Sequence, residues 1–172
     1  MEVLLSKDAL GEKLVYQALL GDLEIVRSLI NDNRDLINYQ AQIDGFTPLI
    51  AAAWNRQVDV VVYLVAEQAD VNIQDLNGRT ALHHAAQKNF WEIIGRLFVR
   101  NDILVNKKDI HGNTPAHLAA KADQEVCAHL IITHQDFKNK RDAQKQKFYS
   151  CFSTQELQDK FKELYNQIAR HH

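Results

Sequence analysis

Residues 44–52 read Asp44-Gly-Phe-Thr-Pro-Leu-Ile-Ala-Ala52, and the wording returns as Asn77-Gly-Arg-Thr-Ala-Leu-His-His-Ala85 and His111-Gly-Asn-Thr-Pro-Ala-His-Leu-Ala119. Gly45, Gly78 and Gly112 stand 33 and 34 residues apart, as do Thr47, Thr80 and Thr114. Each glycine follows Asp, Asn or His, a pairing suited to the positive-φ tip of a hairpin. Each threonine can cap a helix that starts directly after it, and Pro48 and Pro115 fit a first turn, where no intrahelical N–H bond is lost. A second phrase keeps the same period downstream: Asp70-Val-Asn-Ile-Gln-Asp75, Val105-Asn-Lys-Lys-Asp109 and Phe137-Lys-Asn-Lys-Arg-Asp142. Between the phrases, apolar residues recur at helical spacing, as in Val58, Val61, Val62 and Val65 or Ile93, Ile94, Leu97 and Phe98. A unit this short cannot bury its own apolar face, so successive units must stack.

The composition agrees. Among 172 residues there are only six glycines and two prolines, too few for the many tight turns of a sandwich or barrel. Lys+Arg of 20 against Asp+Glu of 22 gives a net charge of −2, which provides no dominant field for nucleic acid or anionic membrane. Two cysteines, Cys127 and Cys151, make no disulfide framework and point to a reducing compartment. The apolar stretch after Met1 is too short for a signal peptide, and no run reaches spanning length. The expectation is a cytoplasmic protein that is monomeric alone and needs no cofactor or metal.

The phrases Thr47-Pro-Leu-Ile, Thr80-Ala-Leu-His and Thr114-Pro-Ala-His resemble the ankyrin repeat, each with one departure from its Thr-Pro-Leu-His wording. Ala18 to Ile30 fits the helix–turn–helix half of a unit but lacks that wording, so a degenerate copy precedes the others. The resemblance implies an all-α solenoid with β-hairpin loops over residues 1–142, with a degenerate repeat at 11–44 and repeats at 45–77, 78–111 and 112–142. The family places glycine between its paired helices. Here Gly21 keeps it, whereas Arg56, Asn89 and Asp123 replace it, and Arg in a left-handed conformation costs roughly 1 kcal/mol. A weak point is expected near Arg56.

Residues 143–172 form a separate tail, basic and then aromatic around Phe148, Tyr149 and Phe152. Ser153 and Glu156 make a capping box ahead of an apolar stripe of Leu157, Phe161, Leu164 and Ile168. Such a helix either seals the last repeat in cis or docks on a partner in trans. The basic run at 138–147, interrupted by Asp142, reads as a solvated linker.

Of eight histidines, His83 and His117 fall on the last position of the repeat phrase, where the resemblance implies a hydrogen bond within the turn. His171 and His172, the last two residues of the sequence, contribute to no candidate site. Cys127, His129 and His134 lie close in sequence, but Cys-x-His on a helix points its members to different faces. An enzyme or metal-dependent activity at His84, Cys127 and His129 is the remaining alternative to a non-enzymatic reading. No phosphate-cradling glycine loop, nucleophile elbow or His-Glu-x-x-His is present.

The resemblance implies a protein partner bound through hairpin tips and first helices, the concave side of the array. Positions free of repeat wording there are Ile43 and Phe46, Leu76 and Arg79, and Ile110 and Asn113 on the tips, with Trp54, Asn55, His84, Lys88 and Lys121 on the helices. Ile43, Leu76 and Ile110 form an apolar row, which is either a surface meant to be covered or a set of side chains folded back on the helices. Phe46, Trp54, Arg79 and His84 are the expected centre, since Trp and Arg dominate interaction hot spots. Trp91 is expected to pack on the convex side. The resemblance also marks Asn72 as a candidate hydroxylation site, with Leu64, Asp70 and Val71 in the preferred upstream positions. The competing role for Asn72 is a backbone bridge in the hairpin. An adaptor, scaffold or stoichiometric inhibitor fits these features, and so does a bacterial effector of ankyrin type delivered into a host cell.

Overall fold

The computed structural model describes residues 6–122 together with residue 159. The proposed tail helix, its aromatic junction, Asp123, Cys127, His129 and His134 lie outside the described residues. Seven α-helices run in order: α1 (Lys7–Leu20), α2 (Leu23–Asp32), α3 (Pro48–Trp54), α4 (Val58–Ala66), α5 (Ala81–Gln87), α6 (Trp91–Leu97) and α7 (Pro115–Lys121), with a 3-10 turn at Arg34–Leu36. Among the described residues no segment forms a strand. The loops take hairpin form through single closing pairs, such as Asp75 N to Arg79 O at 2.8 Å and Asp109 N to Asn113 O at 2.8 Å.

Sequence sets the start of each first helix. Thr47 Oγ1 accepts from Ile50 N at 3.1 Å, and Pro48 opens α3. In α5 and α7 the capping is reciprocal, with His83 and His117 reaching back to the backbone of Thr80 and Thr114. The degenerate copy substitutes other caps. Ser6 Oγ accepts from Ala9 N, so α1 begins at Lys7, upstream of residue 11, and is twice as long as α3.

The helices form two layers. In the first, α1, α3, α5 and α7 stack in that order, and in the second α2, α4 and α6 do the same. Alanine makes the first layer close-packed: Ala51, Ala52, Ala53, Ala85, Ala86, Ala119 and Ala120 are all fully buried. The second layer contributes the bulk, with Val26, Ile30, Val61, Leu64, Ile93, Ile94 and Leu97 sealed against it. Each buried Leu or Ile contributes about 2 kcal/mol relative to exposure. Gly11 belongs to this packing, since the Tyr39 ring lies where its Cβ would stand.

Left-handed backbone occurs where the sequence places it. Gly21 has φ 85°, and Arg56 and Asn89 take the equivalent positions at 58° and 61°. The guanidinium of Arg56 lies 5.6 Å from the centre of the Phe90 ring, a contact that offsets part of the backbone strain. Gln68, after α4, is a further left-handed residue that the repeat wording does not mark.

Candidate partner-binding surface

The hairpins are stitched into a ladder before any side chain reaches out. Leu76 N donates to Asp44 O at 2.9 Å, and Ile110 N donates to Asn77 O at 3.0 Å, which joins each tip to the next. Amides extend the ladder. Gln40 Nε2 donates to Gln74 O at 3.0 Å, and Gln74 Nε2 donates to Lys108 O at 2.9 Å. Asn38 Oδ1 accepts from Asp70 N, and Asn72 Oδ1 accepts from Leu104 N at 2.7 Å while its Nδ2 donates to Asp102 O at 2.9 Å. Asn72 is therefore a bridge to the following hairpin with both ends of its carboxamide engaged.

On this frame the apolar row stands outward. Ile43 is 91% exposed, Leu76 65% and Ile110 63%, so the alternative in which they fold back on the helices is removed. Leu76 and Ile110 are held by the ladder through their own N–H groups, and Ile43 directly precedes Asp44, whose carbonyl accepts the first of these bonds.

The remaining expected contact residues divide by what holds them. The residue before each threonine meets the residue eight further on. Phe46 packs edge-on against Trp54 with ring centres 6.0 Å apart. Arg79 Nη1 donates to Gln87 Oε1 at 3.2 Å, and Lys121 Nζ donates to Asn113 Oδ1 at 2.8 Å. Position by position, an aromatic pair, a cation–amide pair and an amide–cation pair repeat the same contact. Arg79 also approaches the buried Asp109 carboxylate at 3.6 Å, across to the next hairpin.

Asn55 and Lys88 perform a different task. Asn55 Nδ2 donates to Leu19 O at 2.9 Å, and Lys88 Nζ donates to Trp54 O at 2.9 Å. Both satisfy a last-turn carbonyl of the preceding first helix, one of the groups a helix end leaves without a partner. The Lys88 ammonium also sits 3.4 Å above the Trp54 ring, and burial pushes its pKa down.

Three expectations need correction. His84 does not face outward: it is 2% exposed, its Nε2 donates to Asp75 Oδ2 at 2.8 Å, and its ring lies against Trp54 and Phe46 at 5.0 and 5.4 Å. Asn113 is buried too, held by Asp109 and Lys121. The reason is the hairpin carboxylate. Asp75 Oδ1 accepts from Asn77 N and Arg79 N, leaving Oδ2 to draw the imidazole inward. Burial works to raise the Asp75 pKa, but the His84 hydrogen bond and those from Arg79 and Asn77 hold it below the ordinary carboxylate value. Asp109 is likewise lowered against its burial by bonds from Asn113 and His111. Comparing copies does not single out the His84–Asp75 pair: the preceding unit has Ala51 and Ala41 at these positions, but the following unit keeps the carboxylate as Asp109 while Leu118 replaces the histidine. Trp91, expected to pack, opens α6 with its side chain 55% exposed.

His83 and His117 sit within their turns as expected. Thr80 N donates to His83 Nδ1 at 3.1 Å, which leaves the Nε2–H to reach Asn113 O at 3.2 Å. Burial lowers the His83 pKa to about 4. Among the described residues, no group of three His, Cys, Asp or Glu side chains is arranged to hold a metal ion, and no helix is long and apolar enough to cross a membrane.

Paired helices in two stacked layers, joined by hairpins that bond tip to tip, define a tandem-repeat scaffold. The chain belongs to the ankyrin-repeat family. A model of that family, ankyrin repeats in three copies, matches residues 2–75 and 67–142. Inversin of Gallus gallus is 34% identical over 131 residues, covering 76% of this chain and 12% of that protein. The E3 ubiquitin-protein ligase XBAT33 of Arabidopsis thaliana is 30% identical over 124 residues, covering 72% of this chain and 24% of that protein. The chain thus spans a quarter or less of the length of these relatives. Ankyrin repeats generally form non-enzymatic modules that bind other proteins.

Proposed function

We propose that the chain is an adaptor or stoichiometric inhibitor that holds one protein partner against the edge formed by Ile43, Leu76 and Ile110. The observation that carries this reading is the exposure of all three side chains on hairpins that the backbone ladder joins one to the next. Apolar side chains on rigid loops lose little entropy when covered, so their burial is converted efficiently into affinity. Phe46, Trp54 and Arg79 flank the row and supply the aromatic and guanidinium surface that typically dominates interfaces. Lys121 extends it at the far end. His84, Lys88, Asn55 and Asn113 act behind that surface, keeping its supports in place.

The test is capture from lysate of the native cell with two variants of the chain. Ile43→Ser/Leu76→Ser/Ile110→Ser is expected to lose a partner that wild type retains, with unfolding temperature unchanged. Val62→Ser/Trp91→Ser, altering exposed apolar residues of the second-helix layer, is expected to keep it. Equal capture by the first variant, or loss only in the second, overturns the reading.

A further inference from the structure

Between α1 and α3 lies an open groove of about 380 Å³, walled by Tyr16, Leu19, Phe46 and Trp54. Two carboxylates, Glu12 and Asp44, complete its polar lining, and no Lys, Arg or His is part of it. Lys88, stacked on Trp54, does not line the groove. Both acids are fixed through one oxygen. Glu12 Oε1 accepts from the Tyr39 hydroxyl at 3.2 Å and from Gln42 N at 2.9 Å, and Asp44 Oδ1 accepts from Phe46 N at 2.9 Å. Among the described residues, Glu12 Oε2 and Asp44 Oδ2 accept no hydrogen bond. Each carboxylate is thus oriented by one oxygen and has acceptor capacity left on the other.

This groove arises where the first hairpin departs from its copies. Ala41 and Gly45 are one residue further apart than Asp75 and Gly78 or Asp109 and Gly112. Phe46 replaces Arg79 and Asn113, whose side chains bond Gln87 and Lys121 within their own units. An aromatic wall beside two unsaturated carboxylates suits a ligand with a long apolar stem and a cationic head. An apolar ligand would desolvate the carboxylates without compensation, and an anion would be repelled.

We propose that this groove receives an arginine or lysine side chain of the partner protein. The stem lies along Leu19, Phe46 and Trp54, and the head meets Glu12 and Asp44. Arginine is preferred, since its planar fork bonds carboxylates with two donors and stacks on aromatic faces. The inference rests on this face being the partner-binding one, and it adds the chemistry of what the partner brings.

The experiment needs no partner. The full chain, labelled with ¹⁵N, is titrated with the capped peptide acetyl-Ala-Arg-Ala-amide and with its neutral twin, in which citrulline replaces arginine. The expected result is saturable shifts at the amides of Glu12, Tyr16, Asp44 and Phe46 and at the Trp54 indole. The citrulline peptide binds about tenfold more weakly, the loss expected for one charge-assisted pairing. Glu12→Gln/Asp44→Asn keeps an acceptor oxygen for all three fixing hydrogen bonds, removes both charges, and shows the same tenfold loss for arginine. Equal binding of the two peptides, undiminished binding by the double variant, or no saturable shift at the groove overturns the proposal. If the double variant fails to fold, the comparison of the two peptides on wild type still decides. Should the groove not distinguish arginine from citrulline while the Ile43–Leu76–Ile110 row still captures a partner, this inference fails and the proposed function stands.

Discussion

His83 joins a helix cap to the next repeat, and its protonation state links the array to pH. Its Nδ1 accepts from Thr80 N while its Nε2–H donates to Asn113 O, so only the neutral ring serves both. The pKa falls to about 4 in the fold, against about 6.5 in the unfolded chain. Below pH 6.5 the unfolded chain takes up a proton that the fold excludes. Stability is therefore complete above pH 6.5 and declines as pH falls toward 4. The slope is about 1.4 kcal/mol per pH unit, or about 2 kcal/mol between pH 7 and 5. Urea unfolding at the two pH values checks this. His83→Gln is expected to be less stable at pH 7 and to flatten the slope, and an unchanged slope contradicts the assignment. Asn72 makes a second prediction at this scale. Asn72→Ala removes two bonds to the next hairpin and leaves Leu104 N and Asp102 O without that partner, costing about 2 kcal/mol in urea unfolding. The cost falls on the join between the second and third hairpins.

At the scale of elements, a first helix such as α3 is held at both ends by residues that the repeat wording makes visible to different degrees. Its start was legible: threonine, proline and the capping histidine announce themselves in the phrase. Its end was not, because the carbonyl acceptors of Asn55 and Lys88 belong to the preceding unit, and no spacing within one unit reveals them. The inter-helix turns were legible through missing glycines. Arg56 at φ 58° carries backbone strain that glycine would relieve, less the contact with Phe90. Arg56→Gly is therefore expected to raise stability by about 0.5 kcal/mol in urea unfolding, and a decrease would show that the ring contact outweighs the strain. The inward turn of His84 escaped the sequence reading because it depends on Asp75, nine residues away in another element. A helix of seven residues covered on both faces has few free positions, and counting those the phrase leaves unassigned overestimates them.

At the scale of the whole molecule, stacking converts a weak unit into a surface. The three described hairpins are bonded one to the next, which fixes the spacing of the three outward side chains. The fold was legible because a period repeated in two phrases can only be met by stacking. The surface was half legible: the apolar row stood out in sequence, but whether it pointed outward depended on tip-to-tip bonds between units. Hydrogen exchange on the chain with its captured partner tests the central claim most directly. The account predicts slowed exchange at residues 40–46, 74–79 and 108–113 and in α3 and α5, with α4 and α6 unchanged. Protection confined to α2, α4 and α6, with the three hairpins exchanging as in the free chain, would contradict it.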